Sequence, residues 1–464
     1  MGSAAGLSRT GPFWPVGIDR GRLADLRAEE ERQFVERHPR SAELAAGASA
    51  HLLGGVPMPW MTRWPGAFPI FVEDAEGATC TDVDGHTYVD FCLGDTGAMT
   101  GHGLPQVADA VARQARRGVT TMLPTADALW VAEELHRRFG LPFWQMAMTA
   151  TDANRFVLRF AREITGRPKV LVFDWCYHGT VDEALATLDA DGRVVARPGS
   201  IGPQVDPALT TAVVPFNNVG ALEMALAEGD VACVLAEPAL TNIGIVLPAP
   251  DYHEALRRLT RETGTLLVID ETHTICAGPG GCTRAWDLEP DAVVVGKTIG
   301  GGVPAAAYGL SADVAERLRG PLFAEDVDVS GVGGTLTGNA LALAAVKATL
   351  SSTLTDDEFG RTIPLAGRWT DGVQAAIDAH DLAWTVQQLG CRAEYWFCPA
   401  PRDGAQAAAA VDAQLDAFMH LWALNRGILL TPFHNMALLS PHHDAGDVDL
   451  HTEVFGAAVE RLAA

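Results

Sequence analysis

Through the middle of the chain, short and almost purely apolar runs alternate with stretches whose apolar positions recur every three or four residues. The runs 170–173, 211–214, 233–236, 265–269 and 292–295 read as strands buried on both faces of a largely parallel sheet. Between two of them, Asp251 offers a helix N-cap, with Glu254 at the third helical position. Tyr252, Leu256 and Leu259 then mark one buried stripe. Strand–helix alternation of this kind predicts an α/β layered domain over about residues 95–340. The flanks follow another pattern. Residues 1–50 are rich in Arg, Glu and Ala and read as helical, while 71–77 and 81–89 alternate apolar with polar around an Asp84–Gly85 turn, a hairpin signature. Past residue 345, helices and strands mix around an Ala- and Gln-rich stretch, 404–415. The expected partition is therefore a large domain, 95–340, and a smaller α+β domain made from 1–94 and 341–464.

Length agrees with more than one unit, since 464 residues exceed what one core usually holds. Composition is ordinary for a globular chain, 48% hydrophobic and 20% charged. A net charge of −24 repels nucleic acid and anionic membranes, so neither is expected as a partner. The eight cysteines form no C-x-x-C pair, and several sit in apolar runs, which fits buried reduced thiols better than zinc ligation or disulfides. The amino terminus has no leader pattern, and no apolar run approaches a membrane span. A cytoplasmic enzyme is the expectation.

Asp270 closes the apolar run 266–270, which places a carboxylate at the carboxyl end of a buried strand, the rim where open α/β sheets bind ligands. Lys297 follows the next run in the same way. An acid and an amine at neighbouring strand ends suit pyridoxal 5′-phosphate (PLP): the lysine forms a Schiff base, and the carboxylate keeps the pyridine nitrogen protonated. A solvated strand end accounts for either residue alone, and for the pair the two readings are about even. Nucleotide sites are less well supported. Gly296, Lys297 and Thr298 resemble the end of a P-loop, but Asp291 stands where its first glycine belongs, and Leu336 breaks a dinucleotide fingerprint starting at Gly331. A phosphate cup is offered where Thr149–Asn154 leads into a helix predicted over 155–165, although capping alone would produce the same residues.

Several ordered motifs carry a resemblance. They are Gly54-Gly55-Val56; Asp82 to Asp90; Thr149 to Asn154; Thr165 to Lys169; Cys176-Tyr177-His178-Gly179; Glu237-Pro238; Asn242 to Gly244; Asp270-Glu271; Gly296-Lys297; and Gly334 to Asn339. Over residues 50–350 the chain resembles the class III, fold-type I PLP-dependent aminotransferases, the group of glutamate-1-semialdehyde aminomutase and related transaminases. The resemblance implies a mainly parallel seven-stranded sheet between helices and a catalytic pair, Lys297 and Asp270. It further implies a stacking Tyr177 with His178 nearby, phosphate contacts at Ala150 and Thr151, and pocket positions Glu237, Asn242 and Thr272. In the same family the Gly334–Thr335 segment reaches the phosphate of the other subunit, so a homodimer with shared sites is implied.

The departures bear on substrate. Thr272 replaces the family valine, and His273 opens a run unlike the usual one. Where the aminomutase carries a carboxylate-gripping arginine, this chain has Met61, with Arg63 two residues on. Losing a bidentate clamp disfavours an amino-acid substrate of that kind, and the stretch 57–64 reads as an apolar wall. The leading expectation is transfer of an amino group from an amine or amino acid, with a bulky apolar or β-amino skeleton, to an oxo-acceptor. The alternative is an aminomutase or racemase using the same cofactor. Arg63, Arg392 and Arg426 all stay open as anchors for a carboxylate. A non-catalytic binding protein of this fold is disfavoured by the intact Asp270 and Lys297. No metal site is expected, because His442 and His443 read as a solvated loop before the last helix.

Overall fold

The computed structural model describes residues 18–202, 205–323 and 330–463; the first seventeen residues of the stretch read as helical lie outside them. All five expected strands form. They belong to one seven-stranded sheet in the order Phe143–Ala147, Ala306–Leu310, Ala292–Val295, Leu266–Asp270, Val231–Ala236, Lys169–Phe173 and Thr211–Val214. Only Ala306–Leu310 runs against its neighbours. Every residue of Val231–Ala236, Leu266–Asp270 and Ala292–Val295 is buried, as a sheet covered on both faces requires.

The helix after residue 250 spans Tyr252–Thr263 and buries Tyr252, Leu256 and Leu259 as expected. Its cap differs from expectation: Asp251 is left-handed (φ 63°) and its carboxylate caps nothing. The phosphate-cup helix begins earlier than predicted, spanning Ala150–Thr165, because Thr149 accepts a hydrogen bond from Asp152 N at 3.2 Å.

Strands Thr79–Asp82 and Thr87–Asp90 form the expected hairpin, and Val72–Glu76 extends it. The fourth strand of that sheet is Ile428–Leu429, parallel to Thr87–Asp90, so segments from both ends of the chain share one sheet. Nearby, Thr385–Leu389, Arg392–Trp396 and Met436–Leu438 make a three-stranded sheet. All eight cysteines are buried and free. His442 and His443 do precede the helix Ala445–Ala463, but His443 is not solvated: its ring is buried and stacks on Phe91 at 4.8 Å. Among the described residues, no helix is long and apolar enough to cross a membrane.

Candidate active site

The parallel strands Leu266–Asp270 and Ala292–Val295 end side by side and deliver Asp270 and Lys297 to one cleft of about 460 Å³. Asp270 leaves the sheet directly. Lys297 stands two residues past its strand, in a left-handed conformation (φ 50°) rare for a residue with a side chain. Gly296 permits this turn to lie against the phosphate-cup helix, since a Cβ there would meet the Ala150 Cβ at 3.0 Å.

Three donors converge on Asp270. Its Oδ2 accepts from Asn154 Nδ2 and His178 Nδ1, both at 2.8 Å, and its Oδ1 from Thr272 N at 3.0 Å. Burial alone raises a carboxyl pKa, but His178, Thr272 and Asn154 more than offset it and hold Asp270 at about 2. Burial opposes charge on His178 as well, yet Cys176 and Asp270 beside it raise its pKa to about 10. The result is a buried carboxylate that stays ionised, fixed by a histidine that stays protonated.

A second group of polar side chains is arranged around Lys297. Its Nζ donates to Asp95 O at 2.9 Å, to Asp95 Oδ2 at 3.0 Å and to His273 Nε2 at 2.7 Å. Burial pushes the Asp95 pKa up, and the Lys297 ammonium reverses this and holds it well below the usual carboxylate range. His273 is kept neutral, its pKa lowered to about 3 by burial and by the Lys297 charge. With Nε2 accepting, the His273 proton sits on Nδ1, 3.2 Å from Thr96 Oγ1.

Ala150, Thr151, Tyr177, His178, Gly179 and Thr272 line the cleft with Lys297 and Asp270. Thr151 opens the helix Ala150–Thr165, whose first-turn N–H groups lack partners within the helix. Gly179 packs so tightly on Thr151 that a Cβ would lie 2.0 Å from its hydroxyl oxygen. His178 Nε2 and Thr272 Oγ1 are buried without a partner. A ring bearing a phosphate and a basic nitrogen fits these groups: a helix terminus for the anion, an ionised carboxylate for the nitrogen and an amine for the aldehyde.

Other expected residues lie elsewhere. Glu237 is buried and spent on Tyr177 N (3.0 Å) and Thr241, so it fixes the tyrosine from behind. Asn242 donates to Trp175 O at 3.2 Å. Gly334 and Thr335 are exposed. Met61 and Arg63 sit on an exposed single turn, Pro59–Arg63, whose Trp60 packs against Tyr177 (5.7 Å between ring centroids) and Phe433 (5.8 Å). Arg392 is fully buried and tied to Thr241 O and Glu394. Arg426 is paired with Glu30 and laid over Trp422. No sequence motif marks Asp95, and its role comes from a fold in which Leu93, Asp95 and Thr96 all have positive φ.

The profile of the aminotransferase class-III family matches residues 60–390. The chain belongs to the class III aminotransferases. A glutamate-1-semialdehyde 2,1-aminomutase of Sorangium cellulosum (strain So ce56) is 34% identical to this class III aminotransferase over 440 residues, covering 93% of this chain and 98% of that protein. The crystal structure of a lysine-to-alanine variant of a glutamate-1-semialdehyde-aminomutase from Pseudomonas aeruginosa PAO1, in complex with PMP, superposes with a TM-score of 0.95. It is 50% identical and covers 96% of this chain and 100% of its own. An omega-transaminase from Sphaerobacter thermophilus superposes at 0.83 with 28% identity, covering 93% and 100%. The class III aminotransferase thus has the fold-type I architecture and a PLP-dependent activity.

Proposed function

We propose that this aminotransferase works between two molecules, taking an amino group from a primary amine on a bulky apolar skeleton, β-amino acids included, and giving it to an oxo-acceptor. The observation that carries this reading is the charge around the reacting nitrogen. Asp95 puts a carboxylate 3.0 Å from Lys297 Nζ, while Arg392 and Arg426 are committed to other partners and Arg63 lies with Met61 on an exposed turn. A donor with a carboxylate on its reacting carbon meets repulsion there, and an ammonium meets a partner. Trp60, Tyr177 and Phe433 supply the apolar surface.

Bound PLP supplies an electron-withdrawing ring that stabilises negative charge on the carbon carrying the nitrogen. The chain does the rest. Asp270 would hold a proton on the ring nitrogen, oriented by His178 and Asn154, and Ala150 and Thr151 would hold the phosphate. Thr272 and Tyr177 would contact the ring, Tyr177 being set by Glu237, with Asn242 bonded to Trp175 O. Lys297 Nζ moves a proton to and from the substrate carbon, while His273, neutral, takes the hydrogen bond that orients the amine.

A homodimer completes the reading, with Gly334 and Thr335 reaching the partner's phosphate. Val119 O accepts from Ala340 N, which joins two segments bearing the exposed apolar side chains Met122, Leu123 and Leu336, a surface suited to a second subunit. The partition into 95–340 and a smaller unit from both ends, and a cytoplasmic location, belong to the same proposal. The aminomutase reading is favoured by the 50% identity to the glutamate-1-semialdehyde-aminomutase of Pseudomonas aeruginosa PAO1.

An absorbance spectrum separates the two. With an apolar amine alone, the visible band of the loaded enzyme should bleach and stay bleached until an oxo-acid restores it. A band that recovers with no oxo-acid added favours the aminomutase, and Lys297→Ala should show neither band nor turnover.

A further inference from the structure

The junction between helices Arg20–Arg37 and Pro39–Ala48 meets the hairpin Thr79–Asp82/Thr87–Asp90 through His38, Asp82, His86 and Tyr88, none of which lines the cleft. Their hydrogen bonds leave a proton count that does not balance. His38 Nδ1 lies 2.6 Å from Phe34 O, so that nitrogen carries hydrogen, and in the neutral ring Nε2 is a bare lone pair. It faces Tyr88 Oη at 2.9 Å, and Tyr88 Oη lies 2.6 Å from Asp82 Oδ2. Two close contacts between acceptor atoms then share the single phenolic proton. His38 and Asp82 are almost wholly buried, so bulk water does not make up the difference. One further proton, on His38 or on Asp82, balances the chain, and so does a metal ion that takes the bare lone pairs.

We propose that His38, Asp82 and His86 form a divalent transition-metal site, with Zn²⁺ the ion that suits two imidazoles and a carboxylate. Asp82 Oδ2 lies 3.5 Å from His38 Nε2 and 3.2 Å from His86 Nδ1. Ligands at zinc distances on a tetrahedron stand about 3.3 Å apart, and all three donor atoms lie within 4.8 Å of one another. Closing the imidazole pair needs a shift of about an ångström or more, and the partly exposed His86 can make it; the same side chain opens the route in and leaves a fourth position for water. The outer contacts match those of a ligated site. The Phe34 carbonyl orients His38, Tyr88 donates to the ligating oxygen, and Asp82 Oδ1 is held by Asp84 N at 3.0 Å and His86 N at 2.8 Å. Such an ion would pin the amino-terminal helices to the hairpin without touching the cofactor cleft.

Calorimetric titration of the PLP-loaded, metal-stripped full chain with Zn²⁺ tests this. One ion per chain should bind, raising the melting temperature. His86→Ala, at a partly exposed position that the fold tolerates, should weaken binding at least tenfold and abolish the thermal shift, whereas His51→Ala, an exposed histidine outside the cluster, should change neither. Absence of stoichiometric uptake by the wild type, or equal uptake by His86→Ala, overturns the site and leaves an added proton on His38 or Asp82 to balance the cluster.

Discussion

Asp270 lines the cleft and Asp95 sits against Lys297 at its edge, and the two carboxylates are held in different ways. Asp270 is neutralised from within its own wall by His178, with Asn154 and Thr272 completing its bonds, so its charge does not depend on what fills the cleft. Asp95 bonds through Oδ2 to Lys297, and its Oδ1 is buried without a hydrogen bond. Its balance therefore rests on the lysine ammonium. Once that nitrogen is engaged elsewhere, Asp95 is left facing a site that rewards an incoming cation. The first carboxylate suits chemistry common to every substrate, and the second suits choosing among them.

The same substitution at the two acids should expose this. Asp270→Asn should lower kcat by at least about a hundredfold for every donor, as loss of a preorganised charge does, and initial rates across a donor panel check it. Asp95→Asn should cost about tenfold with simple amines while narrowing the gap to α-amino acids, as expected from removing one nearby charge; a uniform loss across the panel would make Asp95 structural instead. Further out, Trp60→Ala should raise KM for apolar donors about three- to tenfold with kcat little changed, the usual worth of an aromatic contact.

pH gives the smallest effect on turnover and tests the contrast from another side. Asp270, at about 2, and His178, at about 10, do not titrate between pH 5 and 8, so that wall should be silent there. Stability should not be. Burial lowers the pKa of His451 to about 3 and of His443 and His420 to about 4. Below their ordinary value the unfolded chain takes up protons that the folded chain refuses, so stability is full above pH 6.5 and falls as pH drops toward 4. His451 alone is worth about 2 kcal/mol at pH 5 by this linkage. His451→Phe, in a ring cluster with Trp369 and Phe455, should flatten the melting-temperature profile.

What the sequence displays well is whatever depends on buried strands. The five apolar runs, and the acid and amine at the ends of two of them, are set by local pattern plus the rule that such sheets bind ligands at their carboxyl edge. The hairpin at Asp84–Gly85 is legible for another reason, a turn dipeptide between strands that alternate buried and part-exposed positions. Asp95 is not, because its position comes from a turn of left-handed non-glycine residues for which no residue type gives a signal. Glu237 illustrates the converse: a motif residue whose carboxylate works one layer behind the cleft, holding Tyr177 and Thr241. His38 and Asp82 come together only through packing of helices on the hairpin, which no spacing announces. His443 was misjudged because a polar-looking loop hides a ring stacked on Phe91.

The sheet that joins both ends of the chain has a consequence during synthesis. Ile428–Leu429 must pair beside Thr87–Asp90, and Arg20 bonds to Asp412, 392 positions away. At translation rates of roughly 5–20 residues per second, the amino-terminal helices wait about 20–80 s on the ribosome before their partners emerge. The seven-stranded sheet, complete well before then, is free to fold first, leaving the amino-terminal segment as the stretch that nascent-chain chaperones would meet.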